Sequence, residues 1–154
     1  MEFAIKAMAQ APEIRTVEPW QGGAKRPFGL KITFTSGAQI WSAITYTAAA
    51  GEKADEPEVP IEAEPPAEVP YPALLQSGKI PVRDAELYLA AALLNSSCPE
   101  ITEAYGYSHG ESPNMNPGLG VKFHNGSRIH MVFEHALRSG QTPGPRAFDL
   151  PEAV

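Results

Sequence analysis

A chain of 154 residues, 43% of them apolar, has the length of one domain and enough apolar material for a packed core. Its formal charge of −6 argues against a nucleic-acid groove or an anionic membrane surface, both of which need clustered Lys and Arg to displace counterions. One cysteine, Cys98, leaves no internal disulfide for the fold to rest on, so a reducing cytoplasm is the expected location.

The longest uninterrupted apolar run, residues 87–94, falls far short of the roughly 20 residues a membrane-crossing helix needs, so no membrane partner is expected. Near the start, Glu2 and Lys6 interrupt the basic-then-apolar pattern of a signal peptide, and the chain reads as not exported by the usual route.

Over residues 1–29 the patterning is weak. Phe3, Ile5 and Ala7 alternate with other residues, as Ile14 and Val17 do less regularly, which suggests one or two short strands. Pro12, Pro19, Gly22, Gly23 and Pro27 punctuate them as turns. The run Gly22-Gly23-Ala24-Lys25-Arg26 lacks the spacing of a phosphate-binding loop and reads as a plain connection.

Two stretches then resemble each other: Phe34-Thr35-Ser36-Gly37-Ala38-Gln39-Ile40 and Phe123-His124-Asn125-Gly126-Ser127-Arg128-Ile129. Each reads as the turn of a β-hairpin, over about 30–46 and 119–134. A two-residue turn would scatter the apolar residues of each hairpin between faces, whereas a three-residue loop gathers them. In the first hairpin Leu30, Ile32, Phe34, Ala38, Ile40 and Ile44 then share a face; in the second, Val121, Phe123, Ile129, Met131 and Phe133 do. The register needs Gly37 and Gly126 at positive φ, where only glycine goes cheaply. Trp41 and Tyr46 fall on the opposite face or its edge, and Trp41 becomes a candidate contact residue.

Residues 49–72 change character. Six prolines and carboxylates such as Glu58, Glu62, Glu64 and Glu68 stand against a single lysine, Lys53. Too few large apolar groups are present to offset the entropy of ordering, so a disordered, acidic, proline-rich spacer is expected. An acidic lure for a basic partner, or a nucleic-acid mimic, is the functional alternative to a solvated linker.

Asp84 as N-cap opens a helix over about 84–95 that is apolar nearly all round and therefore belongs in the core or in a subunit interface. Ser97 and Glu100 have capping-box spacing around Pro99, which predicts a short second helix to about Tyr105, ended by Gly106. At its start Cys98 would be either a reactive thiol or a small buried side chain, the second being the commoner use. Residues 107–120 have loop composition at a length often tied to function. Residues 138–154 read as a disordered tail, with Phe148 and Leu150 the side chains able to dock.

Four histidines, His109, His124, His130 and His135, are the chemical signal that stands out, since histidine binds metals and titrates near neutrality. His109, His124 and His130 are weak candidate metal ligands, because no HExxH or HxH spacing is present. The candidate binding residues are Trp41, Tyr107, His109, His124, Arg128 and His130; no catalytic residue and no cofactor are assigned.

These elements make an α+β domain over 1–137, an antiparallel sheet of two similar hairpins packed on a central helix and interrupted by the spacer at about 49–72. The expected function is that of a small non-enzymatic binding or accessory protein acting through protein contacts, with another protein or with itself as a homo-oligomer. The alternative is a small-molecule or metal-binding domain, an enzyme included, using the 107–120 loop and the histidines. Nucleic acid is not expected as a partner.

Overall fold

The structure, a computed structural model, describes residues 1–53, 59–110 and 116–154. Its first hairpin joins β2 (Gly29–Phe34) to β3 (Gln39–Thr47) through the three residues the apolar pattern calls for. Ile32 pairs with Ile40, and the Phe34 amide donates to the Ala38 carbonyl at 2.9 Å. Gly37 sits at φ 88°. In the second hairpin β5 (Gly118–Phe123) and β6 (Arg128–Leu137) pair Val121 with Ile129, the Phe123 amide donates to Ser127 at 3.1 Å, and Gly126 sits at φ 90°.

Outside the hairpins lie β1 (Ile14–Trp20) and β4 (Ile101–Gly106), which complete one antiparallel six-stranded sheet in the order β1-β2-β3-β6-β5-β4. Each three-stranded meander is preceded by a helix, α1 (Glu2–Ala9) or α2 (Val82–Leu94). The meanders meet through β3 and β6, paired from Gln39–Leu137 to Thr47–Arg128 with a bulge at Trp41/Ser42. One face of the sheet carries Leu30, Ile32, Phe34, Ile40, Leu119, Met131 and Phe133, all buried. Against it α2 buries Ala85, Tyr88, Leu89, Ala92 and Leu93. No helix among the described residues is long and apolar enough to cross a membrane.

Several sequence expectations need correction. The first residues form α1, not strands: Phe3 and Ala7, like Ala4 and Met8, are four apart and share a helical face, and alternation over so short a run cannot separate the two periods. The predicted short helix ending near Tyr105 is strand β4. Its Ile101, Thr102 and Tyr105 favour strands, and pairing with β5 overrides the capping signal. The central helix begins at Val82 with Pro81 as N-cap, leaving Asp84 in its first turn.

The tail expected to be loose is docked. Val154 is buried and exchanges backbone hydrogen bonds with Ile80 at 2.6 and 2.9 Å, while the Phe148 amide donates to the Glu134 carbonyl at 2.8 Å. Residues 54–58 of the expected spacer lie outside the described residues. Those that follow, 59–72, form no helix or strand, are mostly exposed, and touch the body at named points. Ala63 donates to Pro99 at 2.9 Å, Val69 exchanges two hydrogen bonds with the Asn95 amide, and the Tyr71 ring lies 5.0 Å from that of Tyr88.

Candidate functional site

The helices do not cover the whole apolar face. Where β3 ends and β6 begins, a cleft of about 510 Å³ is floored by Ile44, Tyr46, Val121, Phe123, Ile129 and Met131. Phe3 and Ala4 of α1, Leu93 at the end of α2, and Pro27 and Phe28 ahead of β2 form its walls. Met1 and Thr45 complete the lining, and among the described residues no charged side chain belongs to it. Its rim keeps large apolar groups in water, Phe28 at 58% exposure, Tyr46 at 46% and Phe3 at 38%. Apolar groups scattered singly on a surface are ordinary, but a concave contiguous group of this volume has the size and lining of a ligand site.

Tyr46 is held in place at the mouth. Its hydroxyl donates to the Glu52 carboxylate, 2.9 and 3.0 Å from the two oxygens, and the same carboxylate accepts the Ala49 amide at 2.9 Å. This corrects the assignment of Tyr46 to the other face: two residues beyond Ile44, it keeps that residue's side of the strand and lies opposite Ile129.

The polar residues singled out from sequence lie elsewhere. Glu86, wholly buried on α2, accepts from the Ser108 amide (2.9 Å), the Ser108 hydroxyl (3.0 Å) and the Gly118 amide (2.6 Å). His109 donates through Nε2 to the Arg83 carbonyl at 2.9 Å, and that nitrogen stands 3.9 Å from Glu86 Oε2. The Tyr107 hydroxyl lies 2.8 Å from Nδ1 of His130, whose Nε2 lies 3.2 Å from the Thr47 hydroxyl. Burial first, then the neighbouring Tyr105 and Glu86, raises the Tyr107 pKa above its ordinary value.

Of the six candidate residues, Tyr107 and His130 are therefore brought together, while His109, at the end of the same turn as Tyr107, bonds to α2 instead. His124 sits in the β5–β6 turn with Nε2 buried and without a hydrogen-bond partner among the described residues, and Arg128 is exposed at the start of β6. Trp41 lies on the outer face, edge-on to Trp20 at 5.4 Å, with His135 at 6.4 Å and the Lys31 ammonium 5.7 Å over its ring. Among the described residues no three His, Cys, Asp or Glu side chains gather to hold a metal ion. Residues 111–115 of the 107–120 loop lie outside the described residues.

A second cleft, about 580 Å³, lies between the start of α2 and the C-terminal segment. It is the larger of the two, but Arg83, Asp84 and Glu152 give it charges of both signs and Asp84 already accepts from Gln76 at 2.5 Å. The apolar cleft is the candidate site because its lining is continuous apolar surface. Sequence reasoning missed Phe3, Phe28 and Tyr46 there, although Ile44 and Ile129 were placed on the apolar face. The signal available was that each hairpin's apolar face runs to its open end, beyond the reach of a single central helix. Comparison of the chain with protein-family models, with curated proteins and with solved structures finds no match.

Proposed function

We propose that this protein is a non-catalytic binding protein whose cleft between α1 and the sheet takes a small, largely hydrocarbon ligand. The observation that carries the reading is the lining of the 510 Å³ cleft, which apart from Thr45 is apolar and holds no charged side chain among the described residues. Such a surface favours apolar groups leaving water, at roughly 25 cal/mol per Å² of apolar area buried. Among the described residues its lining supplies no histidine, cysteine, lysine or carboxylate side chain for acid-base or nucleophilic work.

The test is titration with the neutral, environment-sensitive dye N-phenyl-1-naphthylamine. Saturable one-to-one binding is expected for the natural chain and should be lost in Ile44→Asp, which sets a carboxylate on the cleft floor, while the circular dichroism of the fold is kept. Absence of saturable binding to the natural chain sinks the proposal.

A second reading keeps the same surface and replaces the ligand by an apolar side chain of a protein partner, a second copy included. The exposed aromatic rim, Phe28 and Tyr46, favours it, because aromatics at the edge of a pocket are the usual anchors of interfaces. Sedimentation separates the two: dimers that dissociate in Ile44→Asp support the partner, and a monomer that binds dye supports the ligand.

A further inference from the structure

Two described points of the chain after β3 stand beside the open end of the cleft. Glu52 is bonded to Tyr46 at the mouth. The Ala63 amide donates to the Pro99 carbonyl at 2.9 Å, next to Glu100, whose own carbonyl accepts the His124 amide at 2.9 Å. His124 follows Phe123, which lies on the cleft floor. Both anchors therefore stand at the end of the sheet where the cleft opens.

Ahead of the second anchor come Val59 and Ile61, exposed at 74% and 51%. Pro60 between them fixes its own φ and biases Val59 toward extended backbone, so the two aliphatic side chains are presented with little chain entropy left to lose. Water is an unfavourable place for both, and Ile61 and Val59 stand two and four residues before the Ala63 anchor, a reach of about 3.3 Å per residue from the end of the sheet that carries Phe123. Two small side chains cannot fill 510 Å³ by themselves, and packing them there alone would leave part of the lining without contacts on one side. A ligand removes that obstacle.

We propose that Val59 and Ile61 belong to the binding site and pack onto the outward side of an apolar ligand once it fills the cleft. This rests on the ligand reading of the cleft. Burying the two side chains adds apolar contact that the open protein lacks, and its effect falls on ligand release more than on capture.

The experiment compares the natural chain with the double variant Val59→Ser/Ile61→Ser, using N-phenyl-1-naphthylamine as probe. Both substituted positions are exposed, so thermal unfolding without dye should be unchanged. The expected result is dye affinity reduced by at least about tenfold, carried mainly by faster dissociation. In hydrogen exchange, dye should also protect the amides of Ile61 and Glu62 in the natural chain. Equal affinity and equal dissociation in the two proteins, with Ile44→Asp still abolishing binding, would overturn this inference and leave the cleft standing. Failure of the natural chain to bind dye overturns both.

Discussion

Glu86 has no exposed surface, yet its two oxygens are met by three donors, from Ser108 and Gly118. Gly106 makes the approach possible: a Cβ there would stand 2.9 Å from both the Glu86 Cβ and its Oε2. Replacing Glu86 by Ala strands the Ser108 and Gly118 amides in the interior, and a loss of about 3 kcal/mol in urea unfolding is expected, with Glu86→Gln costing less because one acceptor survives. Tyr107, in the same turn, gives a pH signature. Its hydroxyl is neutral while protonated and its native pKa is raised, so its contribution is intact below the unfolded value near 10. Above that pH the unfolded chain releases its proton first, and stability falls as pH rises toward the native pKa. Denaturation midpoints measured from pH 9 to 11 should decline, and Tyr107→Phe should flatten part of the decline. Tyr88, also raised chiefly by burial, supplies part of what remains.

At the scale of elements, the legible parts were those whose pattern has one physical solution. The hairpins were fixed by glycines that must take positive φ and by apolar residues that gather on one face in one register only. Helix α2 was legible because Ala85 through Leu94 is good helix-forming sequence with almost no polar face, and it is indeed buried on more than one side. β4 and α1 were not legible, since their type is decided by neighbours far off in sequence: Ile101 and Ala104 pair with Phe123 and Val121, and Met8 is buried in the common core. The C-terminal segment carries no periodicity because it docks at separate points. Arg26, ion-paired to the buried Glu134 at 2.9 Å, lies 4.9 Å over the Phe148 ring, and Val154 bonds to Ile80 beside α2. Ending the chain after residue 147 removes these contacts and uncovers Ile80. A loss of about 3 kcal/mol is expected from one buried valine and the backbone hydrogen bonds, read as a lower urea midpoint with nearly the same slope.

The whole molecule decides what no single segment announces. The candidate cleft is assembled from β3 of the first meander, β5 and β6 of the second, and the ends of both helices, so residues that look like ordinary core positions in sequence become a site only where the helices stop. Cys98 and the four histidines drew attention for their chemistry, yet the fold spreads the histidines among a turn beside α2, a hairpin loop, a tyrosine contact and an aromatic cluster. The same interleaving governs unfolding. β3 and β6 make the longest pairing in the sheet, and the Tyr88 hydroxyl of α2 accepts the Glu13 amide of the first half at 2.8 Å. Neither half can lose its structure without stripping apolar surface from the other, which is the condition for a single cooperative transition. Both tryptophans, Trp20 and Trp41, lie in the first meander with His135 of β6 beside them, so their fluorescence follows that half and its seam, while far-UV circular dichroism follows both halves. In urea the two signals should change together with one midpoint. A fluorescence transition separated from the dichroism transition would mean that the meanders are independent units joined at an incidental seam, and a cleft built across that seam would then have no fixed shape to offer a ligand.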